Sequence, residues 1–307
     1  MRFTKIVEEF GSLEFTHELL SQNIGALLAD RIRDKSGFKT RYICAEHENI
    51  FDVANRTIRE NGLKEEIENS DLIIVVCEYT VNQVPPPSAF IMKDLNLEKK
   101  LVIDLNRGCS GFCEALILAD KFFAKGLQSK AVIITAENYS KYFKRNNRSL
   151  APIFSDCVTF SFVEKGESSV SLYDCGSFYQ YKNDLIYQIN DSQLHMNGPG
   201  LVSFVKSKVV PSIKELLGKV PNNFKLDLCL PHQGSKLIVE TLRESLNLAS
   251  EICSFTAGGI GNTNSSSIPI SLKKILFEKK QVKPLNCLLS GFGVGLSYCN
   301  VISQLEV

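Results

Sequence analysis

Six short runs are apolar on successive residues: 72–77 (LIIVVC), 101–105 (LVIDL), 131–135 (AVIIT), 158–163 (VTFSFV), 226–230 (LDLCL) and 287–290 (CLLS). They are brief and mostly rich in β-branched residues, which is the pattern of strands covered on both faces. Between them, residues 51–61, 114–125, 202–217, 236–246 and 271–279 place apolar side chains three and four apart, the spacing of helices with one buried face. Alternation of the two kinds dictates an α/β architecture of layered helices and sheets.

A chain of 307 residues with 44% hydrophobic content can bury one large core or two fused halves. The segment 101–123 leads through a short loop to the strand 131–135, and the segment 261–280 leads likewise to 287–290. Each half thus sets a polar, small-residue helix start before an apolar helix and a strand. No Gly/Ser- or Pro-rich linker separates them, so the expectation is one compact unit of two related halves, 1–170 and 171–307. The proline run 85–87 reads as a stiff loop.

Charge narrows the partners. Lys and Arg total 35 against 34 Asp and Glu, so no broad basic field exists to hold nucleic acid or an anionic membrane. Residues 1–10 lack the layout of a secretion signal, and the apolar runs are far too short to span a bilayer, so a cytoplasmic protein is expected. Ten cysteines lie scattered through strand-like segments, as reduced, buried thiols do. With no Cys-x-x-Cys pair and four histidines far apart, no metal cofactor is expected.

Four sites carry potential chemistry. Strand 101–105 runs into Asn106-Arg107-Gly108-Cys109-Ser110-Gly111, which sets Cys109 at a strand-to-helix turn. Small neighbours let the backbone bend and a substrate approach, while the helix start favours thiolate over thiol and offers the Cys109 N–H as an oxyanion donor. His232 follows Pro231 at the carboxyl end of strand 226–230, where α/β proteins place their crevices. Asn262 stands in a Gly- and Ser-rich loop, 257–269, where an amide can donate to a developing enolate; Asn264 is its rival, and spacing does not choose between them. Finally, Ser290-Gly291-Phe292-Gly293-Val294-Gly295 interrupts a C-terminal strand pair with bare backbone, as a ligand-side loop or a plain hairpin.

In this order the segments resemble the β-ketoacyl-acyl-carrier-protein synthase III family of thiolase-fold condensing enzymes, over nearly the whole chain. SGFKTRYI (36–43), PPSAF (86–90) and HMNGPGLVSFV (195–205) are similar to further family elements. The resemblance implies a thiolase-like fold of two βαβαβ halves in an αβαβα sandwich, with Cys109, His232 and Asn262 as catalytic residues. It implies an oxyanion hole from the N–H groups of Cys109 and the Gly293 region, and a pocket that includes Phe292, Pro86 and Asn264. Arg31, Lys35 and Lys236 fall at coenzyme A or carrier positions.

The implied activity is loading of an acyl group from an acyl thioester onto Cys109, then decarboxylative condensation with a malonyl-thioester. Acyl-CoA and an acyl carrier protein are the implied partners, the assembly a homodimer, and no cofactor is needed. Departures mark a specialised relative. Pro86 replaces an aromatic residue that enters the partner's pocket, the adenine-stacking Trp has no counterpart, Leu237 replaces a basic docking residue, and Ser155-Asp156-Cys157-Val158-Thr159 replaces a glycine-rich stretch. Acyl transfer to an oxygen or nitrogen acceptor, or service as a non-catalytic partner subunit, are the alternatives.

Overall fold

The structure, a computed structural model, describes residues 1–79, 84–167, 170–188, 193–278 and 283–306, with the side chains of 170 and 171 excepted. Its two principal sheets repeat one topology. In the first, Leu72–Val76 runs parallel to Leu101–Leu105 on one side and to Lys130–Glu137 on the other. Cys157–Glu164 then pairs antiparallel, and Arg2–Phe10 closes the order. In the second, Leu228–Pro231 runs parallel to Leu285–Gly293, followed antiparallel by Ser297–Leu305 and Val170–Ser177. The helix Gly111–Ala124 precedes the strand Lys130–Glu137, and Ser267–Lys273, continued by a π-helical turn Lys274–Glu278, stands in the same place before Leu285–Gly293. The internal symmetry visible in the sequence is therefore the symmetry of the sheets.

Pleating explains why these runs are apolar throughout. Leu72, Ile74 and Val76 face a central layer made by the two helices just named, while Ile73, Val75 and Cys77 face the outer helix Ile50–Glu60. In the second sheet, Cys287 and Leu289 face the same central layer, and Leu288 packs outward with Val205, Ile213 and Leu242. Each such side chain contributes roughly 1.5–3 kcal/mol of burial, so both sheets are held to the central helices from opposite sides. Helix, sheet, helix, sheet and helix follow one another through the molecule.

The elements differ from expectation where charge or edges intervene. Arg2–Phe10 carries Lys5, Glu8 and Glu9 and is only partly buried, so no apolar run announces it. Leu101–Leu105 is a strand as expected but lies at the sheet edge and is half-exposed, not covered on both faces. The helix expected over 202–217 begins earlier, at Gly198, because the Asn197 side chain accepts from the Gly200 N–H. It passes Pro211 by a π-helical turn, Val205–Val209, which absorbs the donor that proline lacks. Helices His17–Ile24 and Ala26–Ser36 escaped notice because their surfaces are largely polar. The last residue of the stretch 271–279 lies outside the described residues.

The two halves meet at bare backbone. A Cβ on Gly291 would stand 2.6 Å from the Cys109 carbonyl oxygen and 2.8 Å from Ser110 Cα, and one on Gly111 would stand 2.4 Å from Val76 Cγ1. Glycine at these positions lets the Cys109 turn press against both sheets at once. Gly291→Ala should therefore lower the urea-unfolding free energy by about 1–3 kcal/mol. Gly259→Ala, whose Cβ meets nothing within 4 Å, should leave it within about 0.5 kcal/mol of wild type.

Candidate active site

The strand Leu101–Leu105 ends at a 3-10 turn, Gly108–Ser110, that runs directly into the helix Gly111–Ala124. Gly108 takes a left-handed φ of 45°, and a Cβ there would strike the Glu78 carboxylate at 2.6 Å. The turn leaves Cys109 buried with its sulfur facing Gly293, where a Cβ would stand 3.0 Å from Sγ. Backbone N–H groups of Cys109 itself and of Val294 point at the sulfur. The N–H of Val294 adjoins Gly293 in the expected region, and Gly293 itself leaves space for the sulfur.

His232 follows the strand Leu228–Pro231 and is buried, with Nδ1 2.9 Å from the Ser267 hydroxyl. With that hydroxyl donating to Nδ1, the ring proton sits on Nε2. The backbone of Asn264 is a further acceptor for the ring, and Phe292 packs edge-on with centroids 5.7 Å apart. Burial drives the His232 pKa down to about 4, against the Asn264 acceptor. The imidazole is therefore neutral at physiological pH.

Asn262 and Asn264 both enter the site. The Asn262 backbone is pinned between Ile153 O and Ser155 N–H, each at 2.9 Å, and its Oδ1 accepts from the Asn264 N–H at 2.9 Å. That orientation leaves Nδ2 as the free donor of Asn262. Asn264 is fully buried in a left-handed conformation, φ 51°, and its Oδ1 lies 3.8 Å from Cys109 Sγ.

These side chains converge. Cys109, His232, Asn262, Asn264, Phe292 and Gly293 line one cavity of about 390 Å³, whose remaining wall is mostly apolar, including Phe154, Leu201, Val205 and Ile238. Lys35 and the exposed Leu237 stand on its lining, and Lys236 lies in an adjoining groove with Arg33, Lys39 and Arg243. Arg31, exposed one turn before Lys35 on the same helix, lines neither. Pro86 caps a short helix, Pro87–Ile91, at the surface, and does not line the cavity of its own chain.

One electrostatic expectation reverses. The helix start was expected to favour thiolate, but burial pushes the Cys109 thiol well up, and the carboxylates of Glu78 and Glu137 add to the push against the two N–H donors. Glu137 is buried, accepting from the Ser265 hydroxyl at 2.9 Å and the Glu78 N–H at 3.2 Å. Glu78 accepts from the Tyr139 hydroxyl, and burial raises its pKa to about 7. Sequence reading passed over both acids, as it passed over Ser267. Glu78 stands two residues beyond the strand Leu72–Val76 and Glu137 ends the strand Lys130–Glu137, the end of an α/β sheet where crevices form.

Two related sheets enclosing paired helices define a thiolase fold, with an acyltransferase-type cavity at the junction of its halves. Residues 103–177 match the family model described as 3-oxoacyl-[acyl-carrier-protein] synthase III, and residues 222–305 match the model of its C-terminal part. The β-ketoacyl-[acyl-carrier-protein] synthase III 2 of Halalkalibacterium halodurans is 26% identical over 291 residues, covering 89% of this chain and 87% of that protein. The synthase III of Neisseria gonorrhoeae is 28% identical, with 89% of each covered. The solved 3-oxoacyl-[acyl-carrier-protein] synthase III of Aquifex aeolicus superposes with a TM-score of 0.87 at 25% identity, covering 98% of this chain and 99% of that one. The chain belongs to the β-ketoacyl-acyl-carrier-protein synthase III family and is a condensing enzyme of that type.

The buried histidine and cysteine give two testable consequences. An unfolded histidine binds its proton near pH 6.5 and the folded His232 near 4. Between these values the unfolded chain holds the extra proton, so stability falls as pH falls from about 6.5 to 4, by up to about 3 kcal/mol at the lower end. Urea unfolding of wild type and His232→Gln across pH 7.5–4.5 should show this slope in the first and its loss in the second. Removing the Glu78 charge should lower the thiol pKa, so Glu78→Gln should raise the rate of Cys109 alkylation by iodoacetamide at pH 8 by roughly tenfold. Peptide mapping keeps the exposed Cys175 separate.

Proposed function

We propose that this protein loads an acyl group from a thioester onto Cys109 and condenses it with a malonyl-thioester. The observation that carries the reading is the convergence of a cysteine, a histidine and an asparagine from both halves on one cavity, with two backbone N–H groups on the sulfur. Cys109 attacks the thioester carbonyl, the Cys109 and Val294 amides hold the oxyanion, and the donor sulfur departs as a thiol carrying the proton that Cys109 gives up. In the second half-reaction the Nε2–H of neutral His232, shared with the Asn264 backbone, and the Nδ2–H of Asn262 bind the malonyl thioester oxygen. They stabilise the enolate formed as carbon dioxide departs. The enolate carbon attacks the acyl-cysteine, and the bond to Cys109 sulfur breaks.

A low His232 pKa is compatible with this role, because a neutral imidazole still donates through Nε2–H and brings no resting charge into the buried pocket. The apolar cavity wall suits an acyl or pantetheine chain. Lys35 on the cavity lining and Lys236 in the adjoining groove, with Arg33, Lys39 and Arg243 among the carboxylates of Asp34 and Glu240, support entry of a phosphorylated carrier arm there. Acyl-CoA and an acyl carrier protein are the proposed partners, with no cofactor beyond them. The half-exposed edge strand Leu101–Leu105 presents unpaired backbone of the kind a second copy would cover, which supports a homodimer. Among the described residues no helix is long and apolar enough to cross a membrane, and the cytoplasm is the proposed compartment.

Intact-protein mass spectrometry after incubation with a panel of acyl thioesters should show one acyl adduct, absent in Cys109→Ala. His232→Ala and Asn262→Ala should still acylate but release carbon dioxide from malonyl-carrier at least about 100-fold more slowly. Acylation of wild type without consumption of malonyl donor would instead favour transfer to another acceptor, and a wild type that never acylates would overturn the reading.

A further inference from the structure

Nine of the ten cysteines are buried, as expected of thiols scattered through strand-like segments, and Cys175 is exposed. It stands on the strand Val170–Ser177, at the edge of the second sheet, directly opposite Cys299 on Ser297–Leu305. Facing residues of an antiparallel pair put their side chains on one side of the sheet, with Cα atoms about 4.5–5.5 Å apart. A disulfide spans about 4.4–6.8 Å between Cα atoms, so this pairing meets its requirement. The two sulfurs are already in contact, 2.9 Å apart.

The pair is unequal in the way thiol exchange requires. Contact with Cys299 draws the Cys175 pKa below the ordinary thiol range, against burial and the carboxylates of Glu114 and Asp174, and Arg107 adds to the lowering. Burial pushes the Cys299 thiol well up. A small disulfide arriving from solvent therefore meets an exposed sulfur with thiolate character, backed by a protonated one. Neither other candidate offers this entry. Cys229 and Cys253 are also hydrogen-bonded to each other but are both buried, and Cys109 is buried with its thiol pushed well up.

We propose that Cys175 and Cys299 are a redox-active thiol pair, which low-molecular-weight disulfides convert reversibly into a cross-strand disulfide. Cys175 sulfur attacks one sulfur of the small disulfide, whose S–S bond breaks. A mixed disulfide forms on Cys175, and the first small thiol leaves with the Cys175 proton. Cys299 then attacks Cys175 Sγ, the mixed disulfide breaks, and the second small thiol leaves with the Cys299 proton. The protein pair is oxidised by two electrons and the small disulfide is reduced to two thiols. Excess small thiol runs the same steps backwards, so in a reducing compartment the bond is transient. Its effect is to tie an edge strand, paired on one side only, to its neighbour. The acyl chemistry proposed for Cys109 plays no part in it.

Oxidised glutathione is the probe, applied to the intact protein and followed by mass spectrometry with peptide mapping. Wild type should lose two hydrogens and retain no glutathione, with Cys175 and Cys299 joined in one chain, and dithiothreitol should restore the starting mass. Cys299→Ser should stop at a stable glutathione adduct on Cys175. Cys175→Ser, a change at an exposed position, should react at least about tenfold more slowly than wild type. Oxidation should slow hydrogen exchange of the amides in Val170–Ser177 in wild type and leave it unchanged in Cys175→Ser. A wild type that does not react, that keeps a stable adduct on Cys175, or that joins Cys175 of one copy to Cys175 of another overturns the proposal. Oxidation that begins at Cys109 or at the Cys229 and Cys253 pair overturns it as well. None of these results bears on whether Cys109 accepts an acyl group.

Discussion

The contact between the Cys109 turn and the backbone of the strand Leu285–Gly293 is the constraint from which the rest of the site follows. Gly291 lies against the Cys109 carbonyl, at a separation no side chain could share, and Gly293 lies tightly against its sulfur. Because these glycines belong to the second sheet and the cysteine follows a strand of the first, the sulfur is placed by the joining of the halves rather than by either alone. The central helices complete the arrangement. Gly111 seats one on Val76, and the other begins within the loop that bears Asn262 and Asn264. Rigid elements on both sides hold the sulfur and its two N–H donors in register, which is what preorganised stabilisation of an oxyanion demands.

Much of this architecture was legible because buried strands must be apolar on both faces. Runs such as 131–135 and 287–290 fell within the observed strands Lys130–Glu137 and Leu285–Gly293. What escaped were elements with a wet face or a free edge, among them Arg2–Phe10 and the helices His17–Ile24 and Ala26–Ser36. The cysteine, histidine and asparagine stood out because each sits at a glycine-rich or strand-end break in the pattern. Their neighbours did not stand out. Ser267 is one hydroxyl among several in 263–267, and only three-dimensional packing shows that it alone meets Nδ1 of His232. Val294 contributes a backbone N–H, which no side-chain identity announces.

Electrostatics was the least legible layer. A helix start next to a cysteine suggested a thiolate, yet the fold buries the sulfur and sets the Glu78 carboxyl against Gly108, one residue away. The helix contribution is confined to its first turn and is worth at most about 1–2 kcal/mol. Desolvation of a fully buried thiolate is larger, and the nearby acids increase it. The same burial holds His232 neutral. A cysteine held as thiol and a histidine held uncharged face one cavity without an ion pair between them.

This neutral design gives the asparagines their importance. Amide side chains donate without bringing charge into a low-dielectric pocket, and each is oriented by what its other half touches. Asn262 is fixed because its oxygen takes the Asn264 N–H, which directs its nitrogen to the cavity. Asn264 is fixed in turn by His232, Asn262 and Cys109, all of which it meets through groups other than its own NH2. Two amides in one loop are thereby given distinct tasks by one chain of hydrogen bonds. The first turns its nitrogen toward the cavity, and the second, fully buried, serves to hold the first in place.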